Sequence, residues 1–103
     1  MSELNFEPYV VVMATFPTHK VEELIKRSPE AMKKYPRDAV GSKHILTLHK
    51  RSDEGYTNIS ITKPLEGKLD AELKHQMKRQ HMYDGIEGYE SRVEVYYEIT
   101  LDE

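Results

Sequence analysis

The segment that most constrains the fold of this chain is residues 8–16, PYVVVMATF. β-Branched and aromatic residues follow one another here without the polar alternation of a strand that has one face in water. This run therefore predicts a strand in the middle of a sheet, with both faces covered. Because 103 residues support one hydrophobic core rather than two, we expect a single domain, residues 1–103, built around this strand.

Two segments have the spacing of amphipathic helices. We expect Thr18 to cap the first helix, and Pro29 after Ser28 predicts a kink or a break within it. The second helix is predicted over residues 68–83, with Gly85 closing it in a left-handed turn. The expected apolar stripe of this second helix is Leu69, Leu73 and Met77.

Three further strands complete the predicted fold. Residues 43–51 and 56–63 flank the turn sequence SDEG, which is typical of a hairpin, and residues 89–101 form the last strand. The resulting order is β-α-β-β-α-β, an α+β class fold. We expect a four-stranded antiparallel sheet with both helices on one face.

Two helices of this length leave the second face of the sheet open. On this open face we predict apolar side chains from the first strand at the centre and polar side chains around them, including Asn58, Ser60, Glu94 and Tyr96. A face of this kind is typical of a homodimer contact or of a lined cavity. We therefore expect a homodimer or a higher oligomer.

The strand order, together with PYVVVMATF, KRSPEAMKKYP and MYDGIEGYESRVEVYYE, resembles the ferredoxin-like dimeric α+β barrel superfamily. That group includes small monooxygenases, muconolactone isomerases and haem-binding barrels. The resemblance implies a ferredoxin-like domain that dimerises as an α+β barrel, with small molecules bound in a cleft between sheet and helices. It places no catalytic residue on a position of this chain.

The candidate catalytic residues are His49, Glu94 and Tyr96, which supply a base, a carboxylate and a phenol if they share the open face. This requires the odd-numbered residues of the second strand to face that side. His44 lies five residues from His49, so we expect the two on opposite faces, and His44 takes the role if the even set is open. The alternative is that these polar groups only form hydrogen bonds in a dimer interface.

The candidate ligand-binding residues are His44, Asn58, Ser60, His81 and Tyr83. His81 borders the Met77 side of its helix and is expected at a cleft between helix and sheet. Tyr83 belongs to a group of tyrosines that could line a pocket for a planar ligand or simply pack their rings. His75 is expected on the charged, solvated side of the same helix.

Composition argues against several classes of function. The chain has no cysteine, and its local histidine spacings fit no metal site, so we expect no metal and no cofactor. A net charge of -3 and the absence of phosphate-binding glycine motifs argue against nucleic acid as a partner. The longest apolar run is far shorter than the roughly 20 residues that span a bilayer, so we expect no membrane partner and a cytoplasmic location.

Two functions from different classes remain open. The first is a homodimer that binds a small, partly apolar molecule and performs cofactor-independent oxidation, isomerisation or another proton transfer on it. The second is a non-enzymatic dimerisation, sensory or interaction module that uses the same face of the sheet. The sequence leaves open whether the protein is an enzyme, and it does not identify the ligand.

Overall fold

The computed structural model describes residues 3–37 and 39–102. The elements are β1 (Glu3–Phe16), a 3-10 turn (Thr18–Lys20), α1 (Val21–Lys34), β2 (Lys43–Ser52), β3 (Gly55–Lys63), α2 (Leu69–His81) and β4 (Glu90–Asp102). The strands form one antiparallel sheet in the order β2-β3-β1-β4. This confirms the predicted β-α-β-β-α-β order and the ferredoxin-like α+β fold.

β1 lies in the middle of the sheet, as its composition predicts. It pairs with β3 on one side and with β4 on the other. Val10, Val11 and Val12 are all buried, although successive side chains of a strand point to opposite faces. The unbroken apolar run therefore fills the centre of both faces.

β1 is longer than predicted because its first residues pair with β4 alone. Pairing with β3 begins at Val10, whereas pairing with β4 begins at Glu3. The two strands thus extend past the sheet as a two-stranded ribbon, and the molecule is 54 Å long. One side of this ribbon carries exposed apolar pairs, Leu4 with Leu101 and Phe6 with Ile99.

The helices cover the face of the sheet that carries Val12. This agrees with the sequence analysis for β4, whose Glu94 lies on the open face, but not for β3. Ala14 and Val12 pair directly with Asn58 and Ser60, and directly paired residues share a face. These residues line one cavity together with side chains of both helices. The prediction that Asn58 and Ser60 lie on the open face is therefore wrong. They lie under the helices.

The open face carries the apolar residues of β2 and β3 instead. Leu46 and Leu48 pair with Ile61 and Ile59, and these pairs lie beside Val11 and Met13 of β1. Leu48 is 55% exposed. This face has the apolar centre that the sequence analysis predicts, but it is more apolar than expected because the polar residues of β3 point the other way.

A β-bulge in β2 changes the placement of the histidines. His44 pairs with Thr62 while Leu46 pairs with Ile61, so Ile45 is an extra residue in β2. The extra residue reverses the alternation at this point. His44 and His49 therefore lie on the same face, the one that the helices occupy, although His49 itself is exposed. The prediction that they lie on opposite faces is wrong.

α1 departs from the predicted helix at its start and at Pro29. The helix is preceded by the 3-10 turn, and no side-chain hydrogen bond caps its first residues, so Thr18 is not a cap. α1 then continues through Pro29 without a break. Just before the proline, the hydroxyl of Ser28 donates to the carbonyl of Leu24 at 2.8 Å.

α2 presents a polar side to the interior. Its buried residues are Glu72, His75 and Gln76, whereas Met77 of the predicted apolar stripe is 47% exposed. His75, expected in solvent, is buried and its Nε2 donates to the carbonyl of Pro36 at 2.7 Å. This side of the helix is stable inside because each of these polar groups has a hydrogen-bond partner.

The apolar core lies at one end of the space between the helices and the sheet. Phe16, Leu24 and Ile86 form it, and Tyr83 and Tyr89 pack against it. Gly85 follows α2 with a φ of 87°, which confirms the predicted left-handed turn. Neither helix in the described part of the chain is long and apolar enough to cross a membrane.

Candidate functional site

The candidate site is a cavity of about 290 Å³ between the sheet and the two helices. β1 contributes its inward residues from Val12 to Phe16, and α1 contributes Leu24 and Ser28. The remaining sides come from β2, β3, α2 and the segment that joins α2 to β4. Both helices and three of the four strands therefore border this cavity. The fourth strand, β4, contributes no residue, but Tyr89 directly before it does.

One end of the cavity is aromatic. The ring of Tyr89 stacks on Tyr83 at 5.2 Å and on Phe16 at 6.2 Å, measured between ring centroids. Phe16 also stacks on Tyr56 at 5.5 Å. Burial, followed by the nearby Tyr83, raises the pKa of the Tyr89 phenol above its ordinary value, and its hydroxyl donates to Gln80. This end offers flat apolar surfaces to a ligand.

The floor of the cavity is polar. Thr47, Asn58 and Ser60 point from the sheet toward the helices. His49 donates from Nδ1 to the side-chain oxygen of Asn58, and its ring lies 4.8 Å from that of Tyr56. The histidine and the amide thus form a connected pair that reaches the cavity through Asn58.

The end near α2 carries positive charge. Arg79 and Arg37 both line the cavity. Burial, followed by the nearby Arg37, lowers the pKa of Arg79. His44 lies close enough to both arginines to respond to them, because its pKa is lowered by burial and then by the charges of Arg37 and Arg79.

A buried carboxylate holds this side of α2 in position. Glu72 is 0% exposed, and it accepts hydrogen bonds from the hydroxyl of Ser42 at 2.6 Å and from the amide of Gln76 at 2.7 Å. Gln76 in turn lines the cavity. The network fixes the rotation of α2 about its own axis. It thereby positions Gln76, one turn after Glu72, and Arg79, one turn after Gln76.

The predicted catalytic set is divided between the two faces of the sheet. Glu94 and Tyr96 pair with Val11 and Tyr9 on the open face. His49 pairs with Asn58 on the helix side, so the sheet separates it from both. The hypothesis that His49, Glu94 and Tyr96 share one surface is wrong, because it required the odd-numbered residues of β2 to lie on the open face.

The predicted ligand-binding residues lie in different places relative to the cavity. Asn58, Ser60 and Tyr83 line the cavity. His44 does not line it, but its Nε2 lies 3.1 Å from the hydroxyl oxygen of Thr47, which does. His81 is exposed and its Nδ1 lies 2.8 Å from Asp84. It lines a separate open groove between α2 and β4, as the sequence analysis expects, but it does not line the inner cavity.

The sequence analysis missed the two arginines of the cavity. Arg79 lies in the polar stretch KHQMKRQH, where its position resembles that of an ordinary surface residue. Arg37 lies in the connection after α1, which the sequence marks only as polar. Once α2 is rotated so that Glu72 and Gln76 point inward, helical spacing places Arg79 on the same side, but α2 has too weak an apolar pattern to reveal that rotation.

Metal-binding geometry does not appear within residues 3–37 and 39–102. No group of three or more histidine, aspartate or glutamate side chains converges there in a way that could hold a metal ion. The side chains that line the cavity carry aromatic rings, hydroxyls, amides and guanidinium groups.

The fold has a counterpart among solved structures. The crystal structure of protein SO0527 from Shewanella oneidensis matches with a TM-score of 0.54 and 14% sequence identity, over 96% of this chain and 98% of that one. At this identity the match concerns the fold alone. No family model and no curated protein matches the sequence.

Proposed function

We propose that the protein is a homodimer of the dimeric α+β barrel type that binds a small, partly apolar molecule in the cavity between its sheet and its helices. One observation carries this proposal. The cavity combines stacked aromatic rings at one end with polar side chains along its floor, in a space bordered by both helices and three of the four strands. Ligand sites typically have this mixture of an apolar lining and a few placed polar groups.

The cavity suits a ligand of about one ring. Its volume of about 290 Å³ lies near the lower limit of ligand pockets, which is roughly 300 Å³. The open face carries a larger groove, of about 550 Å³, lined by Val11, Ile59 and Tyr96. That groove is nearly all apolar and lies on a surface where a second copy is expected to pack, so we favour the inner cavity for the ligand.

A reaction on the bound molecule would depend on His49 among the residues suggested by the sequence. His49 contacts Asn58 and the ring of Tyr56, whereas Glu94 is on the other face. A neutral imidazole in this position can accept a proton from a ligand that reaches the cavity floor. This extension to proton transfer, as in isomerisation or cofactor-independent oxidation, is separate from binding and is tested by replacing His49 with Gln.

The experiment is a thermal-shift screen with aromatic metabolites, quinones, lactones and haem. A molecule that binds only the folded protein raises its melting temperature in proportion to the logarithm of its concentration. We expect Asn58→Ala to reduce the shift and Thr57→Ala to leave it unchanged, because Thr57 is the next residue of β3 and faces the other side. Equal loss in both variants, or no stabilising compound, would contradict the proposal.

A second candidate function is a self-association module without a ligand. The observation that favours it is the amount of apolar surface outside the helix-covered side. Leu46 and Leu48 are exposed on the open face, and Leu4, Phe6 and Ile99 are exposed on the ribbon. Exposed apolar surface of this extent marks interaction sites in soluble proteins. Binding of a small molecule and self-association use different faces, so both can hold for one molecule.

A further inference from the structure

The feature that the proposed function leaves unexplained is the half-buried guanidinium of Arg79. Its Nε is buried and has no hydrogen-bond partner. Its Nη2 donates to the sulfur of Met32 at 2.9 Å, and a thioether is a weak acceptor. No carboxylate within the described residues lies within 4.0 Å of this guanidinium.

A partly buried guanidinium without a counter-charge lowers the stability of the folded protein. Moving a charge out of water is unfavourable unless a counter-charge or several hydrogen bonds replace the lost hydration. Buried arginines are normally paired for this reason. Among the described residues, Arg79 has a buried donor without a partner and no carboxylate in ion-pair contact, although the charge of Glu72 acts on it from a greater distance.

The surroundings of Arg79 increase the local positive charge. Arg37 lines the same cavity, and the pKa of Arg79 is lowered by burial and then by the charge of Arg37. The pKa of His44 in β2 is lowered by burial and then by the charges of Arg37 and Arg79. Two like charges held beside one small cavity are stabilised most directly by an anion placed between them.

The geometry points to a carboxylate: we propose that Arg79 and Arg37 bind the carboxylate group of a small aromatic or otherwise apolar acid whose body lies against Tyr83 and Tyr89. This inference rests on the proposed function, because it assigns the ligand class of the same cavity. A carboxylate matches the planar fork of a guanidinium and can accept two parallel hydrogen bonds from it.

The other end of the cavity explains why the anion is organic. The stacked rings of Tyr83 and Tyr89 offer flat apolar surface, and inorganic anions gain nothing from such contacts. The hydrogen-bonding capacity of the floor is already partly used within the protein, through His49 to Asn58 and His44 to Thr47. Arg79 and Arg37 add charged donors to the neutral polar groups of the floor.

The test uses matched pairs of neutral and anionic probes on the full chain. Benzoate and benzamide have the same ring and nearly the same shape, and inorganic phosphate supplies an anion without a ring. Binding is measured by calorimetry at constant ionic strength. We expect benzoate to bind at least about tenfold more tightly than benzamide, since hydrogen bonds to a charged group are worth about 1.5–3 kcal/mol.

Two variants locate the effect. Arg79→Gln is expected to remove the preference for benzoate while leaving the binding of benzamide within about twofold. The control is Arg92→Gln, because Arg92 pairs with Met13 on the open face and makes an ion pair with Glu94 at 3.8 Å. This control should keep the full preference. A folded Arg79→Gln protein that retains the preference would overturn the inference.

The outcomes separate the two proposals. Equal binding of benzoate and benzamide would overturn the carboxylate assignment and leave the proposed small-molecule site standing. Binding of neither compound, with phosphate also inactive, would overturn both. Phosphate binding as tight as benzoate would overturn the assignment of an organic acid, because the aromatic end would then contribute nothing.

Discussion

In the β2–β3 half of this sheet, the two faces have the reverse of the polarity that a small α+β domain usually shows. The face under the helices carries Asn58 and Ser60 and borders a cavity with a charged end. The face without helices carries Leu48, Ile59 and Ile61. Coverage by helices and apolar composition are therefore separate properties in this half of the sheet. The proposed ligand site and the proposed contact with a second copy rest on this difference.

The two faces should differ most in how much stability the protein loses when an aspartate is placed on them. Val12→Asp places a carboxylate among buried residues of the inner face and should lower the free energy of unfolding by about 4 kcal/mol or more, enough to prevent folding. Leu48→Asp, on the open face, should cost about 0.5 kcal/mol in the monomer. Circular dichroism with urea titration measures both. A folded, stable Val12→Asp protein would show that the register of β1 is wrong.

The next effect concerns the rotation of α2. Glu72→Ala removes a buried acceptor and leaves the Ser42 hydroxyl and the Gln76 amide without their partner, which should lower the free energy of unfolding by about 3 kcal/mol. Met77→Ala, at an exposed position, should cost about 1 kcal/mol or less. The reverse order in urea denaturation would favour the apolar stripe predicted from the sequence over the observed polar side.

Self-association should depend strongly on the open face. We expect the protein to sediment as a dimer or a higher oligomer at micromolar concentration, and Leu48→Asp to weaken association by about 2 kcal/mol, roughly 30-fold in Kd. Leu65→Asp is the matched control, since Leu65 is equally exposed but lies in the connection after β3. A wild-type chain that sediments as a stable 12.1 kDa monomer would contradict the role of this face.

A smaller effect, of opposite sign, is expected at the charged end of the cavity. Arg79→Gln removes an incompletely paired charge and should raise the free energy of unfolding of the ligand-free protein by about 0.5–1 kcal/mol. The same change removes one cause of the lowered pKa of His44, so that pKa should rise toward 6.5. Thermal denaturation and NMR titration of the imidazole test the two parts, and destabilisation by Arg79→Gln would contradict the first.

The smallest effect is on the pH dependence of stability. His44 has its pKa lowered in the folded protein, by burial and then by Arg37 and Arg79. Below pH 6.5 the unfolded chain therefore binds a proton more readily than the folded one, and stability should fall as the pH decreases toward the folded-state pKa. His44→Gln should flatten this part of the profile. An unchanged slope in that variant would remove His44 as its cause.

The sequence predicts the element order, the hairpin, the left-handed Gly85 and the central position of β1, because each depends on local composition and spacing. It does not predict which face the helices cover. Alternation shows that Asn58 and Ser60 share a side, but β1 is apolar on both sides and so does not decide between them. The burial of polar residues depends on partners distant in the sequence, such as Ser42 for Glu72.

The bulge at Ile45 is the second reason that the site differs from expectation. No glycine or proline marks it in the sequence, yet this one residue brings His44 to the same face as His49. The position of Arg79 is likewise not predictable from the local sequence pattern. Its role depends on the rotation of α2, and that rotation is set by the hydrogen bonds of Glu72 and Gln76 rather than by an apolar stripe.

The most direct test of the division between the two faces is a methyl NMR titration of the wild-type protein with benzoate. The methyl groups of Ala14 and Leu24 line the inner cavity, and those of Leu48 and Ile59 lie on the open face. The account predicts saturable shifts at Ala14 and Leu24, with Leu48 and Ile59 unchanged. Shifts confined to Leu48 and Ile59 would place the ligand on the open face and contradict the account.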